Sequence, residues 1–142
     1  MCACARRATI PPSQFTKGSQ MKMLIVEDNA VMRRLLRSLV VNLAEEIHEC
    51  TDGSQALAAY RQFLPDWVLM DIEMPELDGL EATRQLLAAF PDARVVIVTR
   101  YDDAKFRDAA QHAGAYGFVS KENLLGLPAL INSGAQPQPF AL

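Results

Sequence analysis

Apolar residues fall along this chain in two alternating rhythms, short unbroken runs and helical stripes, from Met21 to Ile131. The runs are Met23-Leu24-Ile25-Val26, Trp67-Val68-Leu69-Met70, Val95-Val96-Ile97-Val98 and Tyr116 to Val119. Apolar side chains on both faces predict strands buried on both sides, as in a parallel sheet covered by helices. Ile47 to Cys50 is a further strand, whose alternating polarity predicts a sheet edge. Val31, Leu35, Leu36, Leu39, Val40 and Leu43 recur at helical spacing and predict a first helix, with Arg33, Arg34 and Arg37 facing solvent. Asp52-Gly53-Ser54 reads as a turn and helix start, because a short oxygen side chain can cap the free amides. Ala56, Leu57, Tyr60, Phe63 and Leu64 give the second helix its apolar face, and Pro65 stops it. Leu80, Thr83, Leu86, Leu87 and Phe90 make a third, closed by Pro91-Asp92. Phe106, Ala109, Ala110 and Ala113 form a weaker alanine stripe for the fourth, with Gly114 at its end. Gly126 and Pro128 restrict the last helix, carried by Leu124, Leu125, Leu127, Leu130 and Ile131, to a short one starting near Pro128.

Strands alternating with helices predict one α/β domain with a parallel sheet and right-handed crossovers, over residues 21–133. Residues 1–20 carry Pro11-Pro12 and Gly18-Ser19 without hydrophobic periodicity, so a disordered extension is expected there. Met21 and Met23 stand at the first strand, which makes residues 1–20 either an upstream extension of the reading frame or a non-native addition. Residues 134–142 are expected as a mobile tail. The 142 residues and the net charge of −3 leave no electrostatic footprint for DNA or RNA. No apolar run approaches the ~20 residues of a membrane span, and no secretory apolar core is present in residues 1–20. Cys2, Cys4 and Cys50 cannot all pair, and with no disulfide framework a cytoplasmic location is expected.

Chemistry gathers where the buried strands end. WVLMDIEMPELDG delivers Asp71 at the carboxyl end of its strand, the place where open α/β sheets bind ligands. On its own that carboxylate is a nucleophile, a metal ligand or a helix cap. The other buried strands hand off Glu27-Asp28, Thr99 and Lys121, and in a parallel sheet all these ends share one edge. Three carboxylates there repel one another and raise their pKa values unless a cation joins them. Oxygen-only ligands point to Mg²⁺, while Thr99 and Lys121 supply a hydroxyl donor and a positive charge for an anion. Such a set suits phosphoryl transfer, with Asp71 attacking in line.

At these residues the chain resembles the receiver domain of two-component response regulators. LIVEDNAVMR, LMDIEMPELDGLEATRQL, VVIVTR and GAYGFVSKENL stand in the family's order, over about residues 22–131. The resemblance implies a flavodoxin-like, doubly wound five-stranded sheet of order 2-1-3-4-5. It implies that Asp71 accepts phosphate from a histidine kinase or phosphotransfer protein. Glu27 and Asp28 match the acidic pair that places Mg²⁺, with the backbone carbonyl of Glu73 as a further ligand. Thr99 matches the switch hydroxyl, Phe118 the aromatic switch position and Lys121 the family's lysine. The implied output is a change in the surface of helix 4, strand 5 and helix 5, which a target or a second copy would read. Such a module is not an enzyme, apart from removing its own phosphate.

Three features depart from that pattern. Arg100 follows Thr99 where the family usually has a small residue, so it could screen the pocket, pair with Glu73 or contact the phosphoryl group. Only a short tail follows the last helix, as expected for a stand-alone or truncated receiver. Gly126 and Pro128 interrupt the helix 5 face. Two enzyme-like or cofactor readings fit less well. A haloacid-dehalogenase-type phosphatase wants Asp-x-Asp where this chain has Glu27-Asp28, and a flavin mononucleotide binder needs a phosphate loop that those carboxylates would repel. A pseudo-receiver, binding partners without phosphorylation, is the remaining alternative.

Overall fold

The unbroken apolar runs become strands with almost no exposed residue, because both sheet faces are covered. The computed structural model describes residues 21–74, 77–100 and 103–133. Its strands are β1 (Lys22–Val26), β2 (Glu46–Cys50), β3 (Trp67–Met70), β4 (Val95–Thr99) and β5 (Gly117–Ser120). Its helices are α1 (Ala30–Val40), α2 (Ala56–Phe63), α3 (Gly79–Ala89), α4 (Ala104–Ala113) and α5 (Leu127–Ser133). Short 3₁₀ segments at Gly53–Gln55 and Lys121–Gly126 lead into α2 and α5. The expectations for residues 1–20 and 134–142 lie outside the described residues.

All strand pairs are parallel, in the order β2-β1-β3-β4-β5. This is the doubly wound order expected above, with β2 at an edge. Alternate residues of each strand feed two cores. Leu24, Val26, Val68, Met70, Val95 and Ile97 pack with Tyr60 of α2, Leu86 of α3 and Ala110 of α4. Met23, Ile25, Trp67, Leu69, Val96 and Val98 pack with Leu36 and Val40 of α1 and Leu127 and Ile131 of α5. Among the described residues, no helix is long and apolar enough to cross a membrane.

Helix starts are set by short polar side chains whose oxygen accepts an otherwise unpaired amide. Asn29, not its neighbour Asp28, caps α1, accepting from Met32 N at 2.8 Å. Asp78 caps α3 through Glu81 N at 2.9 Å, and Asp103 caps α4 through Phe106 N at 3.0 Å. Gly114 ends α4 at φ 95°, a conformation that favours glycine.

The structure corrects five details of the sequence pattern. Val31 and Leu35 were expected on the buried stripe of α1, but they are 70% and 43% exposed. The stripe that meets the sheet is Met32, Leu36, Leu39 and Val40 instead. Arg33 is not a solvated charge: only 18% of its side chain is exposed. Leu64 lies just past α2 at φ 52° with its side chain out, so it terminates the helix rather than packing it. Leu125 is 83% exposed because the 3₁₀ segment turns it away from Leu124, which is buried. On β2, polarity alternates less cleanly than expected, since His48 and Glu49 are both exposed. His48 stacks on Phe63 at 3.6 Å.

Candidate functional site

The parallel register carries four polar strand ends to one edge, where the Lys121 ammonium meets the carboxylates of two of the others, Glu27 and Asp71. Asp71 continues the β3 ladder, its N–H donating to Val26 O at 3.0 Å, and it is 4% exposed. Glu27, just after β1, is fully buried. Its Oε2 accepts from Asn29 N at 3.2 Å, and Arg33 Nη1 donates to its backbone oxygen at 2.9 Å. Lys121, directly after β5, places Nζ 3.1 Å from Glu27 Oε1 and 3.3 Å from Asp71 Oδ1. Asp28 is exposed at the rim, and carboxylate oxygens of Glu27, Asp28 and Asp71 lie within 4.8 Å of one another.

These groups open onto a cavity of about 700 Å³ that Asp28, Asp71, Glu73, Arg100 and Lys121 also line. Arg100 Nε stands 3.6 Å from Glu73 Oε1, so of the three arrangements open to it the pair with Glu73 is the one adopted. Thr99 ends β4 and is 1% exposed, buried beside Ser120 rather than on the cavity wall. Phe118 is half-buried on β5, away from the cavity, with the Arg107 guanidinium 5.0 Å over its ring. Neither histidine reaches the site, since His112 Nδ1 contacts Asp108 O at 2.8 Å. The contribution of Arg33 was not visible in sequence. Its other partner, Glu49 at 3.0 Å, comes from the neighbouring strand, and no local spacing encodes that.

The electrostatics are those of a site short of positive charge. Burial raises the Glu27 carboxyl to about 7, repulsion from Asp71 adds to this, and Lys121 opposes it. Burial also raises Asp71; Lys121 opposes that shift, and repulsion from Asp28 adds to it. One ammonium therefore serves the two buried carboxylates, with Asp28 adding a third negative charge beside them. Glu27 Oε1 is buried without an aligned hydrogen-bond donor even though Lys121 lies near it. A buried carboxylate oxygen that meets only a shared ammonium, beside two further carboxylates, fits a hard divalent cation such as Mg²⁺.

The folded chain holds the Glu27 proton up to about pH 7, whereas the unfolded chain releases it near 4.5. Between those values the folded state binds more protons, so stability falls as pH rises. In metal-free buffer, urea unfolding should show a loss on the order of 2 kcal/mol from pH 5 to pH 8. Glu27→Gln should flatten the slope, and a wild-type slope of opposite sign would contradict this description.

Comparison with known proteins agrees with the geometry. The family model of the response regulator receiver domain matches residues 23–130. The uncharacterized transcriptional regulatory protein YhcZ of Bacillus subtilis (strain 168) is 35% identical over 104 residues, covering 72% of this chain and 49% of that protein. The chemotaxis protein CheY of Thermotoga maritima is 33% identical over 101 residues, covering 70% of this chain and 84% of that one. The crystal structure of a two-component response regulator of the LuxR family from Aurantimonas sp. SI85-9A1 superposes with a TM-score of 0.75 at 30% identity, covering 81% of this chain and 84% of that one. The chain spans about half the length of the first curated relatives it matches. With its matched sequence, its strand order and its acidic edge, this chain belongs to the receiver domain family of response regulators.

Proposed function

We propose that this chain receives a phosphoryl group on Asp71 from a histidine kinase or phosphotransfer protein and changes a partner-binding surface in response. The observation that carries the reading is the buried Asp71 carboxylate, 3.3 Å from Lys121 and within 4.8 Å of two further carboxylates. Asp71 Oδ attacks the phosphorus of the donor. The P–N bond of a phosphohistidine breaks, its imidazole nitrogen leaves with the electron pair, and an aspartyl phosphate remains. Lys121 stabilises charge on the transferring oxygens. Glu27, Asp28, Asp71 and the backbone carbonyl of Glu73 would hold Mg²⁺, which when bound supplies charge neutralisation for the phosphoryl group.

The Thr99 hydroxyl, buried at the end of β4 beside β3, is the group that would sense the new oxygens, and Phe118 is the packing element that would answer its movement. Arg107, over the Phe118 ring, belongs to α4, so movement of the ring is felt on the surface formed by α4, β5 and α5. A target protein or a second copy of the chain would read that surface. The chain acts on no substrate beyond its own phosphate in this reading. Several relatives are named as transcriptional regulators and others as chemotaxis proteins, so the output is left to the partner.

Incubation with acetyl phosphate and Mg²⁺, followed by intact mass, tests the proposal. A single phosphoryl adduct is expected, and a chelator in excess over Mg²⁺ should prevent it. The competing reading, a pseudo-receiver that binds a partner without phosphorylation, has Arg100 at the cavity mouth in its favour. An unmodified mass under all these conditions would select it.

A further inference from the structure

We infer that Arg100 is a phosphoryl-binding residue of this site, held by Glu73 while Asp71 is unmodified and transferred to the phosphoryl group once it arrives. The inference rests on Asp71 as the acceptor and adds a regulator of how long the phosphate stays. Arg100 follows β4 and Glu73 follows β3, so their pair spans the two loops that border the cavity. The pair is easily exchanged. At 3.6 Å it is longer than a hydrogen bond, and its side chains are 67% and 46% exposed, where ion pairs contribute little.

Phosphorylation changes the competition. One carboxylate charge becomes about two, with three acceptor oxygens, and a guanidinium fork engages such a group better than a lone ammonium does. Lys121 is already divided between Glu27 and Asp71. Arg100 is the other cation on the cavity wall among the described residues, so the outward phosphoryl oxygen draws it from Glu73.

The consequence is slower hydrolysis. Loss of the phosphate requires a water oxygen to attack phosphorus in line with the bond to Asp71. The P–O bond breaks, the Asp71 carboxylate leaves, and inorganic phosphate departs with the water's oxygen and one of its protons while the other passes to solvent. Asp71 is 4% exposed at the cavity floor, so the line opposite its bond to phosphorus runs out through the mouth. A guanidinium laid on the outer oxygens occupies that line.

The test is the lifetime of the acetyl-phosphate adduct after the donor is removed, read by intact mass in Mg²⁺ buffer. Arg100→Ala should shorten it about tenfold. Arg100→Lys should fall between the two, since it keeps charge without the fork. Glu73→Gln removes the competitor but keeps the backbone carbonyl, and should lengthen the lifetime only while Arg100 is present. Opposite signs for the two single variants, with the double variant matching Arg100→Ala, would support the assignment, because a merely structural role does not invert in this way. An Arg100→Ala lifetime equal to wild type, or a Glu73→Gln effect that persists without Arg100, would overturn it while leaving Asp71 as acceptor. A wild type that takes no adduct would overturn both readings.

Discussion

Asp71→Asn is expected to lose all phosphorylation by acetyl phosphate, at least a hundredfold below wild type, while remaining folded and at least as stable in metal-free buffer. The amide keeps the shape of the carboxylate but presents no anionic oxygen to attack phosphorus. Its effect on stability runs the other way. Asp71 is 4% exposed and its carboxyl is raised, chiefly by burial, so the ionised form is less favourable folded than unfolded at neutral pH. A neutral side chain removes that disadvantage, and Lys121 keeps Glu27 at 3.1 Å as its partner. Intact mass and urea unfolding on the same preparation separate the two effects. An adduct at wild-type level on the variant would mean that another residue accepts the phosphate. A variant that unfolds would mean that Asp71 supports the fold rather than straining it.

Gly79→Ala is expected to cost about 2–3 kcal/mol of stability and to slow phosphorylation as well. Gly79 begins α3, where alanine is ordinarily the better helix former. Here a β-carbon would sit 1.9 Å from the carbonyl oxygen of Asp71, 2.8 Å from its carbonyl carbon and 3.0 Å from Ile72 Cα. All three are backbone atoms, so no side-chain rotation relieves the clash. The same residue donates its N–H to Ile72 O at 2.9 Å, which ties the start of α3 to the loop that begins at Asp71. Separating them exceeds the usual 1–3 kcal/mol of core overpacking before the helix gain is returned. Because Asp71 moves with its carbonyl, the phosphorylation rate should drop alongside the urea midpoint. An unchanged midpoint would show that α3 can shift freely, and would weaken the view that Gly79 fixes the acceptor's position.

Much of this was legible in the sequence because the information is periodic. Unbroken runs such as VVIVT can be satisfied only by a strand covered on both faces, and polar residues at their ends then fall on one edge. Asp71, Glu27, Asp28 and Lys121 thereby come together although they are far apart in the chain. The rest depends on partners that spacing does not encode. Arg33 looked like a solvated helix charge, yet it holds Glu49 across α1 and β2 and the backbone of Glu27. Val31 and Leu35 fit the helical stripe as well as Leu36 does, and only docking on the sheet decides which side is covered. Leu64 was read as packing because it is apolar, whereas a left-handed residue ending α2 turns the side chain outward. Asn29 caps α1, which leaves Asp28 at the rim beside the other carboxylates. Thr99 reached its strand end as expected and is buried there, 1% exposed.

Which atom takes the phosphate can be read directly from the modified protein. Wild-type protein treated with acetyl phosphate and Mg²⁺, then reduced with borohydride and digested, should yield a peptide in which residue 71 has become homoserine, the product of reducing an acyl phosphate. The account predicts that conversion at Asp71 alone, and only when acetyl phosphate was present. Conversion at Glu27, at Asp28 or at another carboxylate, with Asp71 unchanged, would contradict it.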